Sequence, residues 1–234
     1  MIETIAGFFQ DGGPFMVVIA IVLLIGLIVA VERWLYLTAQ KHVNRRDFRK
    51  LHDMLHRKDL KGALNYARDS GSAMATMIGA GLLRLARKQP REDIEYAMEE
   101  GLLEVMPRLE KRTQYLATLA NVATLLGLLG TIFGLIDAFT ALGADEAAGN
   151  RQAMLSSSIS LAMSTTAFGL IAAIPLLLIH AVLQTKTNEI VDSFEMAGIK
   201  VLNLISDAQP APTASPAAPA ARPQTPRATG TASN

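Results

Sequence analysis

Three long runs without a charged residue constrain the fold of this chain most strongly. They extend from Gly12 to Val31, from Thr113 to Ile136 and from Gln152 to Ile179. Each run reaches the ~20 residues that an α-helix needs to cross a hydrocarbon layer of ~30 Å. The runs therefore predict an all-α, polytopic membrane protein with three transmembrane helices.

The boundaries of these runs divide the chain. We place the transmembrane helices at 14–37, 113–136 and 152–184. The first is not expected to be a cleaved signal peptide, because no basic region precedes it and no small-x-small site follows it. Between the first two lies a polar region, 38–112, whose helix-period patterns break at Asp69–Ser72 and Gln89-Pro90.

The basic residues predict the orientation. Of 22 Lys and Arg, 16 lie between Thr38 and Arg112, whereas the 137–151 loop holds only Arg151. By the positive-inside rule, 38–112 and a helical end at 185–207 are cytoplasmic, with long helices extending into the cytoplasm. The segment 1–13 and the 137–151 loop are then periplasmic.

The remaining segments are read from composition and periodicity. Residues 1–13 predict an amphipathic interfacial segment or, equally, a frayed terminus. A helix beginning near Arg91 runs without a clear stop into the second span, although Pro107 could kink it. The 208–234 tail holds six of the ten prolines and almost no large apolar residue, so it is predicted to be disordered.

Enzyme and metal functions have weak candidates. His52 and His56 have the i, i+4 spacing of a zinc helix, but an exposed helical face is favoured. Ser164 and His180 lie 16 residues apart, roughly 24 Å along one helix, so they cannot meet within one copy. The net charge of +1 does not suggest nucleic-acid binding, and no cofactor, metal or enzyme activity is expected.

Small residues recur at four-residue spacing in the second and third spans. Such stripes let helix backbones approach closely in lipid, where no hydrophobic drive joins helices. Both stripes are therefore predicted to serve packing or to line an interior. Their members are Gly127, Gly130, Thr131 and Gly134 in the second span, and Thr165, Gly169 and Ala173 in the third.

The threonines of these stripes fall at one predicted depth. Thr131 lies about 16 residues before the outer turn of the hairpin and Thr166 about 18 after it, which places them within a few Å on antiparallel helices. A layer of uncharged hydroxyls suits an ion path. The alternative, which stays open here, is that each threonine bonds the carbonyl four residues back and is inert.

Two motifs resemble a known family. YLATLANVATLLGLLGTIFGLIDAF and ISLAMSTTAFGLIAAIP are similar to the MotA/TolQ/ExbB proton channel family. The three-span layout and the Glu32-Arg33 pair closing the first span resemble its TolQ/ExbB branch. The resemblance implies a pentamer in the bacterial inner membrane that encloses a single-span TolR/ExbD/MotB-like partner and couples ion flow to mechanical work. It also implies ion-pathway roles for Thr131 and Thr166; the adjacent Thr165 leaves proton or sodium open.

Two positions depart from the family pattern. Leu161 stands where TolQ and ExbB members commonly have a glutamate, and Thr124 where they usually have a proline. Proton relays use Asp, Glu or His within the membrane, and apart from the Glu32-Arg33 pair that closes the first span, the only such residue between the span ends is His180. The main carboxylate is therefore expected from the partner. A membrane scaffold without ion conduction is the alternative function.

Overall fold

A computed structural model describes residues 13–143 and 148–208, which form helices joined by short turns and contain no strand. Three stretches are long and apolar enough to cross a membrane, 13–56, 91–143 and 150–206. The predicted amphipathic residues 1–12 and the tail from 209 onward lie outside the described residues. The helices are α1 (Gly13–His56), α2 (Leu60–Ser70), α3 (Ala73–Ala86), α4 (Arg91–Glu110), α5 (Thr113–Gly143) and α6 (Ala148–Ala208).

The long helices continue well beyond the predicted spans. α1 has 44 residues and α6 has 61, which correspond to roughly 66 and 90 Å at ~1.5 Å per residue. Hydropathy marks only the apolar part of such a helix. The polar half of α1 stays helical because residues 38–56 contain no Gly or Pro. At the opposite end of the apolar segments, α5 runs to Gly143 and α6 begins at Ala148, so most of the predicted 137–151 loop is helical.

The apolar parts of α1, α5 and α6 form a three-helix unit. α5 and α6 pair as a hairpin, and α1 packs against both. The rings of Phe15 and Phe133 lie 5.2 Å apart between centroids, which ties α1 to α5. Gly26 of α1 receives the side chain of Leu176 from α6. The large aliphatic residues that remain exposed point away from these contacts, as expected of surfaces that face lipid or neighbouring subunits.

The polar halves of α1 and α6 combine with α2, α3 and α4 in a second helical bundle. The breaks that separate α2, α3 and α4 lie at Gly71–Ser72 and around Gln89-Pro90, where the sequence predicted them. Gly71 has φ +58, and Ser72 caps α3 by accepting the Ala75 N–H at 3.1 Å. Among the largest fully buried side chains of this bundle are Leu51, Met77, Ile78, Ile94 and Phe194.

The predicted continuous helix from residue 91 into the second span is interrupted. α4 ends at Glu110, α5 begins at Thr113, and Arg112 between them has φ +73. Pro107 lies within α4, so it does not end the helix. The backbone instead leaves helical geometry at Lys111–Arg112, where side chains of α1 hold both helix ends, as described below.

Candidate ion-pathway site

The α5–α6 contact is made backbone to backbone. A Cβ added to Gly127 would lie 3.2 Å from the Cα atoms of both Gly169 and Thr166. A Cβ on Gly169 would lie 2.8 Å from the Ala123 carbonyl oxygen. Since only glycine leaves that space, the two helices approach more closely here than any side chain would permit.

The contact continues outward along the same stripe. Gly130 lies against the side chain of Thr165, and a Cβ on Gly134 would come within 2.7 Å of the Ala162 Cβ. Ala173, at the other end of the α6 stripe, is buried. All four glycines that the sequence singled out for helix packing therefore lie at the α5–α6 contact.

Thr166 links the two helices directly. Its Oγ1 donates a hydrogen bond of 2.8 Å to the carbonyl oxygen of Gly127. That carbonyl belongs to α5, so the bond is not the local, inert bond that a threonine makes to its own helix. The close approach at Gly127 and Gly169 brings the carbonyl within reach.

Thr165 and Thr131 bond their own helices. Thr165 Oγ1 donates to the Leu161 carbonyl at 2.7 Å, and Thr131 Oγ1 donates to the Leu128 carbonyl at 2.6 Å. Thr165 is only 1% exposed, whereas Thr131 and Thr166 are partly exposed. A hydroxyl that donates its proton still carries acceptor lone pairs, so Thr131 and Thr166 keep oxygen atoms able to meet a water or a cation.

The three hydroxyls lie within about one helical turn of the hairpin, here called the threonine level. Gly130 packs on Thr165 and Gly127 packs on Thr166, which fixes the register of the two helices. Thr131 follows Gly127 by four residues, about 6 Å along the axis. The three threonines thus occupy about one helical turn.

Leu161 lies at the outer side of this level, against the start of α1. Its Cδ1 is 3.3 Å from the position of a Cβ on Gly13, which begins α1 with φ +63. A carboxylate at position 161 would face the start of α1. Leucine at this position packs α6 against α1 and leaves the level of the threonines without an acidic side chain of its own.

Below this level, Arg33 joins α1 to the α4–α5 junction. Its guanidinium donates to the Leu109 carbonyl and, over 3.2 Å, to Thr113 Oγ1, and it stacks on the ring of Tyr36 at 5.0 Å. Arg33 is 4% exposed. One side chain therefore donates hydrogen bonds both to the last turn of α4 and to the first residue of α5.

Three further charged contacts surround that junction. Glu32 pairs with Arg112, and Lys186 lies 3.1 Å from the centroid of the Trp34 ring. Lys41 pairs with Glu189 at 2.7 Å and, through that hydrogen bond, holds the pKa of the Glu189 carboxyl below its usual value. These contacts join α1 to the α4–α5 junction and to α6.

Within the second bundle, a buried acid of α1 holds α2 and the turn that follows it. Asp47 is 0% exposed and accepts hydrogen bonds from Tyr66 OH at 2.8 Å and from Ser70 Oγ. Burial alone raises the pKa of Asp47, but hydrogen bonds from Ser70, Ser72, Tyr66 and Arg46 outweigh it and lower the pKa. The carboxylate therefore stays ionised and anchors the turn between α2 and α3.

The sequence had given Arg33 and Asp47 no packing role. A seven-residue spacing was the available signal, since Ala30, Leu37, Asn44 and Leu51 are all buried on one stripe of α1. Asp47 lies on the same face, three residues after Asn44. A polar residue within an apolar stripe indicates a buried and partnered group.

Comparison with known proteins identifies the family. Residues 69–196 match the MotA/TolQ/ExbB proton channel family. The chain belongs to that family. The match covers α3 to most of α6, and so includes the glycine contact and all three threonines.

The curated relatives lie on the TolQ/ExbB branch. The ExbB homologue of Methanothermobacter thermautotrophicus is 28% identical over 82% of this chain and 67% of that protein. The Tol-Pal system protein TolQ of Haemophilus influenzae is 32% identical over 54% of this chain and 59% of its own length. The match thus spans about three fifths of the TolQ protein.

A solved structure shares the fold. A chain of C. jejuni MotAB superposes with a TM-score of 0.58 at 15% identity, over 86% of this chain and 81% of that one. The all-α architecture with three membrane-spanning stretches is therefore that of a multi-pass membrane protein of the proton channel family.

Proposed function

We propose that this chain is the channel-forming stator subunit of an ion-driven machine that energises the cell envelope. The observation that carries the proposal is the level of hydroxyls formed by Thr131, Thr165 and Thr166 at the glycine contact of α5 and α6. Thr131 and Thr166 would provide oxygen atoms to the moving ion or its water. Thr165 would fix the helix spacing on which that level depends.

The proposal needs a partner. The described spans offer no carboxylate at the threonine level: Glu32 lies at the end of the first span, where it pairs with Arg112, and His180 lies near the end of the third. A single-span partner of the TolR/ExbD/MotB kind would supply a transmembrane aspartate, in line with the family match. Several copies of this chain, five by resemblance to the family, would surround it.

The orientation belongs to the same proposal. We place the protein in the bacterial inner membrane with the N-terminus in the periplasm and the C-terminus in the cytoplasm. The concentration of Lys and Arg in residues 38–112 supports this arrangement. The second bundle would then lie in the cytoplasm.

The test is proton flux into liposomes that contain the subunit with its co-purified single-span partner. Thr131→Val and Thr166→Val remove a hydroxyl at nearly constant volume and should abolish most of the flux while the complex still assembles. Thr166→Ser keeps the hydroxyl that bonds Gly127 and should restore much of it. Thr118→Val is the matched control, because Thr118 is an exposed threonine of α5 that bonds its own helix at Gln114.

A scaffold without conduction is the second candidate. The observation in its favour is that all three threonine hydroxyls donate to backbone carbonyls, as packing threonines do. A scaffold would conduct no better than protein-free liposomes and would function normally with Val at Thr131. Liposomes holding this subunit alone should leak little; flux equal to that of the complex would refute the requirement for a partner carboxylate.

A further inference from the structure

The membrane-distal end of the second bundle contains an apolar cavity. It has a volume of about 380 Å³ and lies where the ends of α1, α3 and α6 meet. Cavities of roughly 300–1,000 Å³ accept ligand groups in proteins. At its rim, Leu60 is 43% exposed. The aliphatic side chains that line it are Leu55, Leu60, Leu85, Ala86, Leu204 and Ile205.

Two lysines complete the lining of this cavity. Lys58 and Lys88 follow the C-terminal ends of α1 and α3, and both have left-handed backbone conformations with φ of 59° and 58°. Both side chains are exposed. The fold thus places two cations at the edge of the apolar cavity.

The surrounding surface is also basic. Residues 56–61 and 84–91 contain seven basic side chains and one acid, Asp59, which caps α2 through the Gly62 N–H at 2.9 Å. Glu92 and Asp93 follow in α4 but do not line the cavity. Within residues 13–143 and 148–208, none of the seven forms an ion pair within 4.0 Å. They are Arg57, Lys58, Lys61, Arg84, Arg87, Lys88 and Arg91.

We propose that this cavity is a docking site for an acidic protein segment that carries aliphatic anchors. The anchors would fill the cavity and the carboxylates would face Lys58 and Lys88, a combination of apolar core and charged rim that fits a protein partner. The proposal goes beyond ion conduction. Only its location in the cytoplasm rests on the proposed orientation.

Other occupants match this surface less well. Leu55 lies 18 residues beyond Leu37, the predicted span end, or about 27 Å along α1, which exceeds the Debye length of ~8 Å and separates the site from lipid headgroups. A second copy facing it across a two-fold axis would oppose the same cations. Residues 209–234 of the chain carry two arginines and no acidic side chain.

The experiment measures binding of a labelled peptide to the full chain in detergent by fluorescence anisotropy. The probe is a peptide of about twelve residues with leucines at i, i+4 and i+7 and glutamates elsewhere. Two matched peptides replace either the glutamates by lysine or the leucines by serine. A single-stranded oligonucleotide of equal charge tests for a nucleic-acid surface.

The variants separate the cavity from general charge. Lys58→Gly with Lys88→Gly removes both cations while glycine keeps the backbone φ, so this variant is expected to fold. Leu60→Ser removes an apolar rim contact. Arg68→Glu with Lys111→Glu alters two exposed cations outside the cavity lining and serves as the control.

We expect the acidic leucine peptide to bind the unaltered protein. The double glycine variant should raise its Kd about tenfold and Leu60→Ser severalfold, whereas the control variant should leave the Kd unchanged within about twofold. Equal binding of the serine peptide would overturn the proposal, because charge alone would then suffice. So would tighter binding of the oligonucleotide, or a Kd that the glycine variant leaves unchanged.

Discussion

Gly169→Ala tests the packing of α5 on α6 most directly. The new Cβ would lie 2.8 Å from the Ala123 carbonyl oxygen and 3.0 Å from the Gly127 Cα. Both neighbours are backbone atoms that cannot rotate away, so the helices must move apart by roughly 0.5 Å to reach ordinary contact distance. That movement also lengthens the 2.8 Å bond from Thr166 to Gly127.

The expected loss of stability in Gly169→Ala is the sum of three contributions. Overpacking costs about 1–3 kcal/mol, and loss of the interhelical hydrogen bond costs about 0.6 kcal/mol in a membrane protein. Alanine restores about 1 kcal/mol of helix propensity relative to glycine. The free energy of unfolding should therefore fall by about 0.6–2.6 kcal/mol.

Gly198→Ala provides a control of identical composition on the same helix. A Cβ there would lie 3.6 Å from the flexible Met98 Cε, which is an ordinary contact. This variant should be neutral or stabilised by up to about 1 kcal/mol. Unfolding of both proteins in detergent, followed by circular dichroism, measures the difference; a Gly169→Ala protein as stable as Gly198→Ala would refute the close helix approach.

Three further predictions concern the polar contacts and the turns. Lys58→Gly and Lys88→Gly should each stabilise the protein by about 1 kcal/mol, because their φ of 59° and 58° disfavours residues with a Cβ; melting temperatures that do not rise would contradict this. Arg33→Leu should lower the free energy of unfolding by about 1.5–3 kcal/mol by leaving the Leu109 carbonyl and Thr113 without their donor, and hydrogen exchange should quicken at the α4–α5 junction but not in α3. Because the pKa of Asp47 is lowered in the folded state, its contribution is present above its unfolded pKa of ~3.9 and is lost as pH falls through the folded pKa; Asp47→Asn should flatten the pH dependence of stability in that acid range, and an unchanged dependence would disprove the anchor.

Periodicity could predict the small-residue contact but not the partner of each hydroxyl. The four-residue spacing of Gly127 and Thr131, and of Gly130 and Gly134, indicated a packing stripe on α5, and these three glycines do pack against α6. The sequence left open whether the threonines bond locally. Thr165 does so, whereas Thr166 bonds across to α5, because that choice depends on a helix separation of a few tenths of an ångström.

The break at Lys111–Arg112 shows why a helix end was missed. No glycine follows α4, and the kink predicted at Pro107 lies four residues before the break. The break is held by Arg33 and Glu32, some 80 residues away in sequence. Local sequence patterns do not carry such a distant contact.

By itself the sequence determined the class of this protein: three uncharged runs long enough to cross a bilayer, the two turns that separate α2, α3 and α4, and the motifs of the proton channel family. These features depend only on composition and local spacing, because the thickness of the hydrocarbon layer and the local backbone geometry determine where spans and turns form. The tertiary structure decided which side chains meet. It placed Thr166 on the Gly127 carbonyl, buried Asp47 beneath a turn, and put Leu161 against the start of α1. Such contacts arise only when distant helices pack, because burial and a close backbone approach select one partner among many.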